Sequence, residues 1–96
     1  VIYLKNKNIK TAVALKYDKS DIAPRVIAKG RGEIAEKIIQ KAEKEGIKTI
    51  QNENLVKDLI SLEIGQAIPE KLYMAVAEIL AFVYQLDKEK GEKFEK

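Results

Sequence analysis

The first sustained pattern along the chain is Thr11-Ala-Val-Ala-Leu-Lys-Tyr17, with Val13, Leu15 and Tyr17 on one side and Ala12, Ala14 and Lys16 on the other. A period of two predicts a strand. Asp18 to Asp21 is polar turn material, and Pro24 keeps Ala23 out of helical dihedrals. Arg25 to Lys29 reads as a second short strand, so the pair predicts an antiparallel hairpin with a longish loop. After Gly30-Arg31-Gly32 the period changes. Ile34, Ile38 and Ala42, with Ala35 and Ile39 beside them, form one helical stripe opposite a charged face, and Gly46 stands where a left-handed residue ends the helix. Ile47 to Ile50 predicts a third strand, and strand, helix and strand in this order predict a βαβ unit with parallel strands.

A short helix carrying Leu55, Val56, Leu59 and Ile60 follows, with Asn52 or Asn54 as its cap and Gly65 as its stop. Pro69 suits the first turn of a last helix that runs to about Leu86, with Glu70 favourable against its dipole. Between Leu72 and Leu86 only Glu78 and Gln85 interrupt the apolar run. That is shorter than the roughly 20 residues a bilayer requires, so the run predicts a buried helix. The elements together predict an α/β (α+β) domain over residues 1–86. In it a small three- to four-stranded mixed sheet is flanked by three helices, any fourth strand coming from the first ten residues. Residues 87–96 are almost entirely charged and read as a flexible tail.

The composition narrows the chemistry. The 96 residues are 46% apolar and 34% charged, as expected of one globular domain. With no cysteine and no histidine, disulfides, thiolate chemistry and the commonest general base are absent; neither a metal site nor a cofactor is expected. Gly30-Arg31-Gly32 lacks the remainder of any phosphate-binding fingerprint and reads as a sharp strand-to-helix turn. Glu78, alone in an apolar helix, reads as one partner of a buried or half-buried ion pair with a lysine, or as the maker of a helix-end hydrogen bond. No enzyme is expected. Eighteen basic residues stand against 15 acidic ones, the signs are mixed, and only two are arginines, so the charge does not point to nucleic acid. The last helix is apolar on more than one side: Leu72, Val76, Leu80 and Val83 suffice for a core stripe, and Tyr73, Ala77, Phe82 and Tyr84 exceed it. Either the short helix covers the excess or a partner's side chains do.

Four stretches, Ala12 to Tyr17, Ala23 to Gly30, Glu63 to Pro69 and Leu72 to Ala81, resemble in order and spacing the cytoplasmic domain of the export-switch family of type III secretion, the FlhB and YscU type. The resemblance implies a domain at the cytoplasmic face of the membrane-bound export apparatus. It would bind export substrates, such as flagellar rod or hook proteins, and export-gate components, and would support the switch between substrate classes. It places the substrate-binding pocket on Ala23, Pro24, Ala77 and Leu80, with Val76 and Ile22 as weaker neighbours. Family members carry an Asn-Pro-Thr-His turn at which the asparagine breaks its own chain. Here Lys7, Asn8, Ile9 and Lys10 hold those four places, so the chain is expected to remain intact. Without the family's membrane segments it looks like a short paralogue, the competing explanation being a piece excised from a longer protein. A small α/β RNA-binding module is the alternative, supported by the helix, glycine and strand pattern of Glu33 to Ile50.

Overall fold

The computed structural model describes residues 1–18 and 20–82. In them β1 (Ile2–Lys5), β2 (Thr11–Lys16), β3 (Arg25–Arg31) and β4 (Thr49–Gln51) form one mixed sheet in the order β3-β2-β1-β4. The expected hairpin is β2 and β3, and the fourth strand does come from the first ten residues. β2 and β3 are antiparallel, with Ala14 opposite Ala28 and Leu15 opposite Val26; Ile27 is therefore the extra residue of a bulge.

β3, helix α1 (Glu33–Lys44) and β4 follow in the predicted order, and the two strands point the same way. They are not neighbours, however. β4 pairs with β1, placing Tyr3 beside Thr49 and Leu4 beside Ile50, so β2 and β1 lie between the two ends of the crossover. β4 also starts two residues later than expected. The N–H of Ile47 donates to the Ala42 carbonyl (2.8 Å) and that of Gly46 to the Glu43 carbonyl (3.1 Å). With Gly46 at φ 74°, these two bonds close the helix end as a Schellman motif, and Ile47 packs beside Ala42 instead of entering the sheet.

Side chains alternate between two faces. Ile2, Leu4, Val13, Leu15 and Val26 meet Leu55, Val56 and Leu59 of helix α2 (Glu53–Leu59) together with Ile68, Leu72 and Val76. On the other face the small Ala12 and Ala14 let α1 approach closely through Ala35, Ile39 and Ala42, with Ile38 half-buried. Ile34, expected on that stripe, is 58% exposed. It lies over Gly30, where there is no side chain to cover it.

Asn52 caps α2, its Oδ1 accepting the Leu55 N–H at 3.0 Å. The helix ends at Leu59, well before Gly65, and the Lys29 ammonium donates to the Ile60 carbonyl at its C-terminus (3.1 Å). Gly65, at φ 92°, instead shapes the turn that brings its own N–H to the Val26 carbonyl. Pro69 is extended and precedes a 3-10 turn, Glu70–Leu72, that leads into helix α3, residues 73–82. The expected end near Leu86 and the tail from Asp87 lie outside the described residues.

The buried reading of the last helix is overturned within that range. Only Leu72 and Val76 are buried, Ile79 and Leu80 are half-buried, and Glu78 is exposed with no ion pair among the described residues. One side of α3 packs on the core; among the described residues nothing stacks on its other side to enclose it.

Candidate protein-binding site

The segment before β3 is held by three sets of contacts. The Ile68 N–H donates to the Pro24 carbonyl (2.9 Å), and the Val26 N–H donates to the Gln66 carbonyl (3.0 Å). The Arg25 guanidinium donates to the Gly65 carbonyl (3.2 Å) and pairs with Asp21 (3.4 Å). Residues 65–68 thereby extend along the outer edge of β3, with Ala67 bridged to Arg25. Pro24 has no N–H to lose here, and its fixed φ suits the extended entry into the strand.

Ala23 and Pro24 are both buried. Ala23 belongs to the same apolar cluster as Val76, and Leu80 packs against that cluster. Four of the six expected pocket residues therefore sit at one end of the sheet's α2–α3 face or beside it. Ala77 is exposed on α3, next in sequence to buried Val76, and Ile22 projects from the loop with 93% of its surface free. The short helix does not cover the described part of the apolar excess of α3: Tyr73, Ala77 and Phe82 remain exposed, as does Met74, and Phe82 has the Lys48 ammonium 6.0 Å from its ring centre; Val83 and Tyr84 lie outside the described residues.

Lys7, Asn8, Ile9 and Lys10 lie in the turn between β1 and β2, at the other end of the hairpin. Five residue steps of β2 separate the two ends, about 17 Å at strand rise. The turn is tied by Asn6, whose Oδ1 accepts the Lys10 N–H (2.8 Å) and the Thr11 N–H (3.3 Å), while its carbonyl accepts the Ile9 N–H (3.2 Å). Ile9 adopts φ 54°. A separate cavity of about 380 Å³ opens beside this turn, between the end of β3 and α2. Its lining comes from four elements, and no motif in the sequence announces it.

Among the described residues there is no group of carboxylates able to hold a metal and no helix long and apolar enough to cross a membrane.

Residues 8–83 match the FlhB HrpN YscU SpaS family. The protein YlqH of Bacillus subtilis is 48% identical over 80 residues, which are 82% of this chain and 86% of YlqH. The flagellar biosynthetic protein FlhB of Buchnera aphidicola subsp. Acyrthosiphon pisum is 50% identical over 86 residues, which are 88% of this chain. The chain spans only 22% of that FlhB. The crystal structure of the cytoplasmic domain of FlhB from Shewanella putrefaciens superposes with a TM-score of 0.85 at 35% identity, covering 95% of this chain and 74% of that one.

Proposed function

Because the chain belongs to the FlhB HrpN YscU SpaS family, we propose that it is a non-catalytic component of the flagellar or type III protein export apparatus that binds exported proteins. The apolar surface beside Ala23 and Pro24 takes a side chain of the export signal, and α3 contributes Ala77 and Leu80 to it. Val76 and Ile22 flank the contact. The observation that carries this reading is the juxtaposition of a backbone-pinned Ala23-Pro24 corner with a helix whose outer side the other described residues leave open. Apolar surface gathered on one side of an exposed helix is where contact with a partner gains most from burial. The domain then acts at the cytoplasmic face of the export gate and supports the change from one class of substrate to the next.

Self-cleavage is not part of the role. An asparagine breaks its own chain only when its amide nitrogen reaches its own carbonyl carbon. Lys7 supplies an ammonium in place of that amide, and the next three places, Asn8, Ile9 and Lys10, hold neither proline nor histidine.

The test is a titration with a peptide carrying the export signal of a flagellar rod or hook protein. Ala77→Trp fills the proposed contact from an exposed position. It should weaken binding at least about tenfold, the equivalent of one lost apolar contact, with circular dichroism and melting unchanged. Equal affinity in a folded variant removes the proposal.

A further inference from the structure

The cavity beside the β1–β2 turn is lined by donors that nothing within the described protein engages. Its floor is apolar, from Val56 and Ile60. Thr11 and Asn6 form one wall, and the charged rim carries Arg31 and Lys57 with Glu53 on the same side of α2 as Lys57. Asn6 Oδ1 is committed to two backbone N–H groups, which leaves its amide N–H₂ as the free end of that side chain. Among the described residues neither Arg31 nor Lys57 forms an ion pair, and neither the Asn6 amide nor the Thr11 hydroxyl donates a hydrogen bond. Four residues with donor groups of two kinds, charged and neutral, thus line one opening.

From this arrangement we infer that the cavity is a second binding site, for a carboxylate borne by a protein partner. Charge decides the class of anion. Among the lining residues themselves, two cations against one carboxylate leave a single net positive charge, which one carboxylate neutralises. A phosphate brings a second negative charge close to Glu53, where like charges repel. A guanidinium and an ammonium also match carboxylate oxygens in hydrogen-bond geometry. The apolar floor accepts the carbon stem of the residue that carries the acid. The site lies about 17 Å along the hairpin from Ala23 and Pro24, so one partner can engage both or either alone.

The carboxylate can come from an acidic side chain or from a chain terminus, and two-dimensional NMR of the whole chain distinguishes them. The probes are acetyl-Leu-Glu-Leu-amide, acetyl-Leu-Leu with a free C-terminus, the neutral acetyl-Leu-Gln-Leu-amide, inorganic phosphate and a short single-stranded RNA. At least one acidic peptide should shift the amide signals of Asn6, Thr11, Val56 and Ile60, and whichever binds tighter names the source. The neutral peptide should not shift them. Replacing Arg31 and Lys57 together by Gln should weaken binding about tenfold or more, and Glu53→Gln should strengthen it severalfold. Ala77→Trp should leave this response unchanged, which separates it from the apolar site. Equal shifts with the neutral peptide, tighter binding of phosphate or RNA at the same amides, or indifference to the double replacement would overturn the inference.

Discussion

Two residues carry backbone constraints that ordinary side chains resist. Ile9 is β-branched and half-buried, yet it sits at φ 54°, where an L-residue loses roughly 1–2 kcal/mol. Its side chain packs against the cluster of Ala12, Ala35 and Ile39, which returns about 1 kcal/mol for a half-buried aliphatic group. The two effects nearly cancel, so Ile9→Gly should change stability in urea by less than about 1 kcal/mol. An ordinary buried isoleucine truncated this far costs several. Gly30 is the opposite case. A methyl group there would overlap Ile34 Cγ2 and lie 2.7 Å from Ile34 Cβ, too close to the root of that side chain for a rotamer change to relieve. Gly30→Ala should therefore push α1 off the sheet and cost about 1–3 kcal/mol in the same assay.

At the scale of elements, the ends of the helices are better specified than their lengths. α1 is closed by the Gly46 motif, while α2 depends on a single side-chain cap at Asn52 and on Lys29 at its other end. α2 has only seven residues, too few to be stable without its cap and its packing. Asn52→Ala should lower stability by about 1 kcal/mol, and hydrogen exchange should show the loss concentrated in the amides of Leu55 and Val56. α3 obeys a different balance. Its inner stripe is small, Leu72 and Val76 with half-buried Ile79 and Leu80, so its outer residues contribute nothing to the described core.

For the whole molecule, the length of β2 separates the proposed binding corner from the turn between β1 and β2. One end of the hairpin presents the Ala23-Pro24 corner, and the other presents the turn of Lys7 to Lys10. Here that turn is closed by Asn6 and holds lysines at the positions that would do chemistry. A denaturing mass spectrum of the purified chain after prolonged storage at neutral pH should show a single species of full mass. Two fragments divided within Lys7 to Lys10 would contradict the proposed non-cleaving role. The same separation means that a variant at one end should leave binding at the other unaffected, as distant sites in a folded domain behave independently.

Much of this was legible from periodicity. Val13 and Leu15 against Ala12 and Ala14 already assign the two faces of the sheet, because side chains on a strand must alternate. Asn52 and Gly46 mark helix ends because their local hydrogen bonds and dihedrals require few residues beyond their neighbours. The absence of histidine and cysteine follows from residue identity alone. Strand order was not legible: β4 prefers β1 over β3 through pairing between residues more than 40 positions apart, a choice made by the sum of many long-range contacts. Nor was the openness of α3, since an apolar run records what can be buried and only the placement of neighbouring elements decides what is. The donor-lined cavity is the extreme case, because Asn6, Arg31 and Lys57 meet only after the chain has folded, their side chains brought together by sheet register and helix docking.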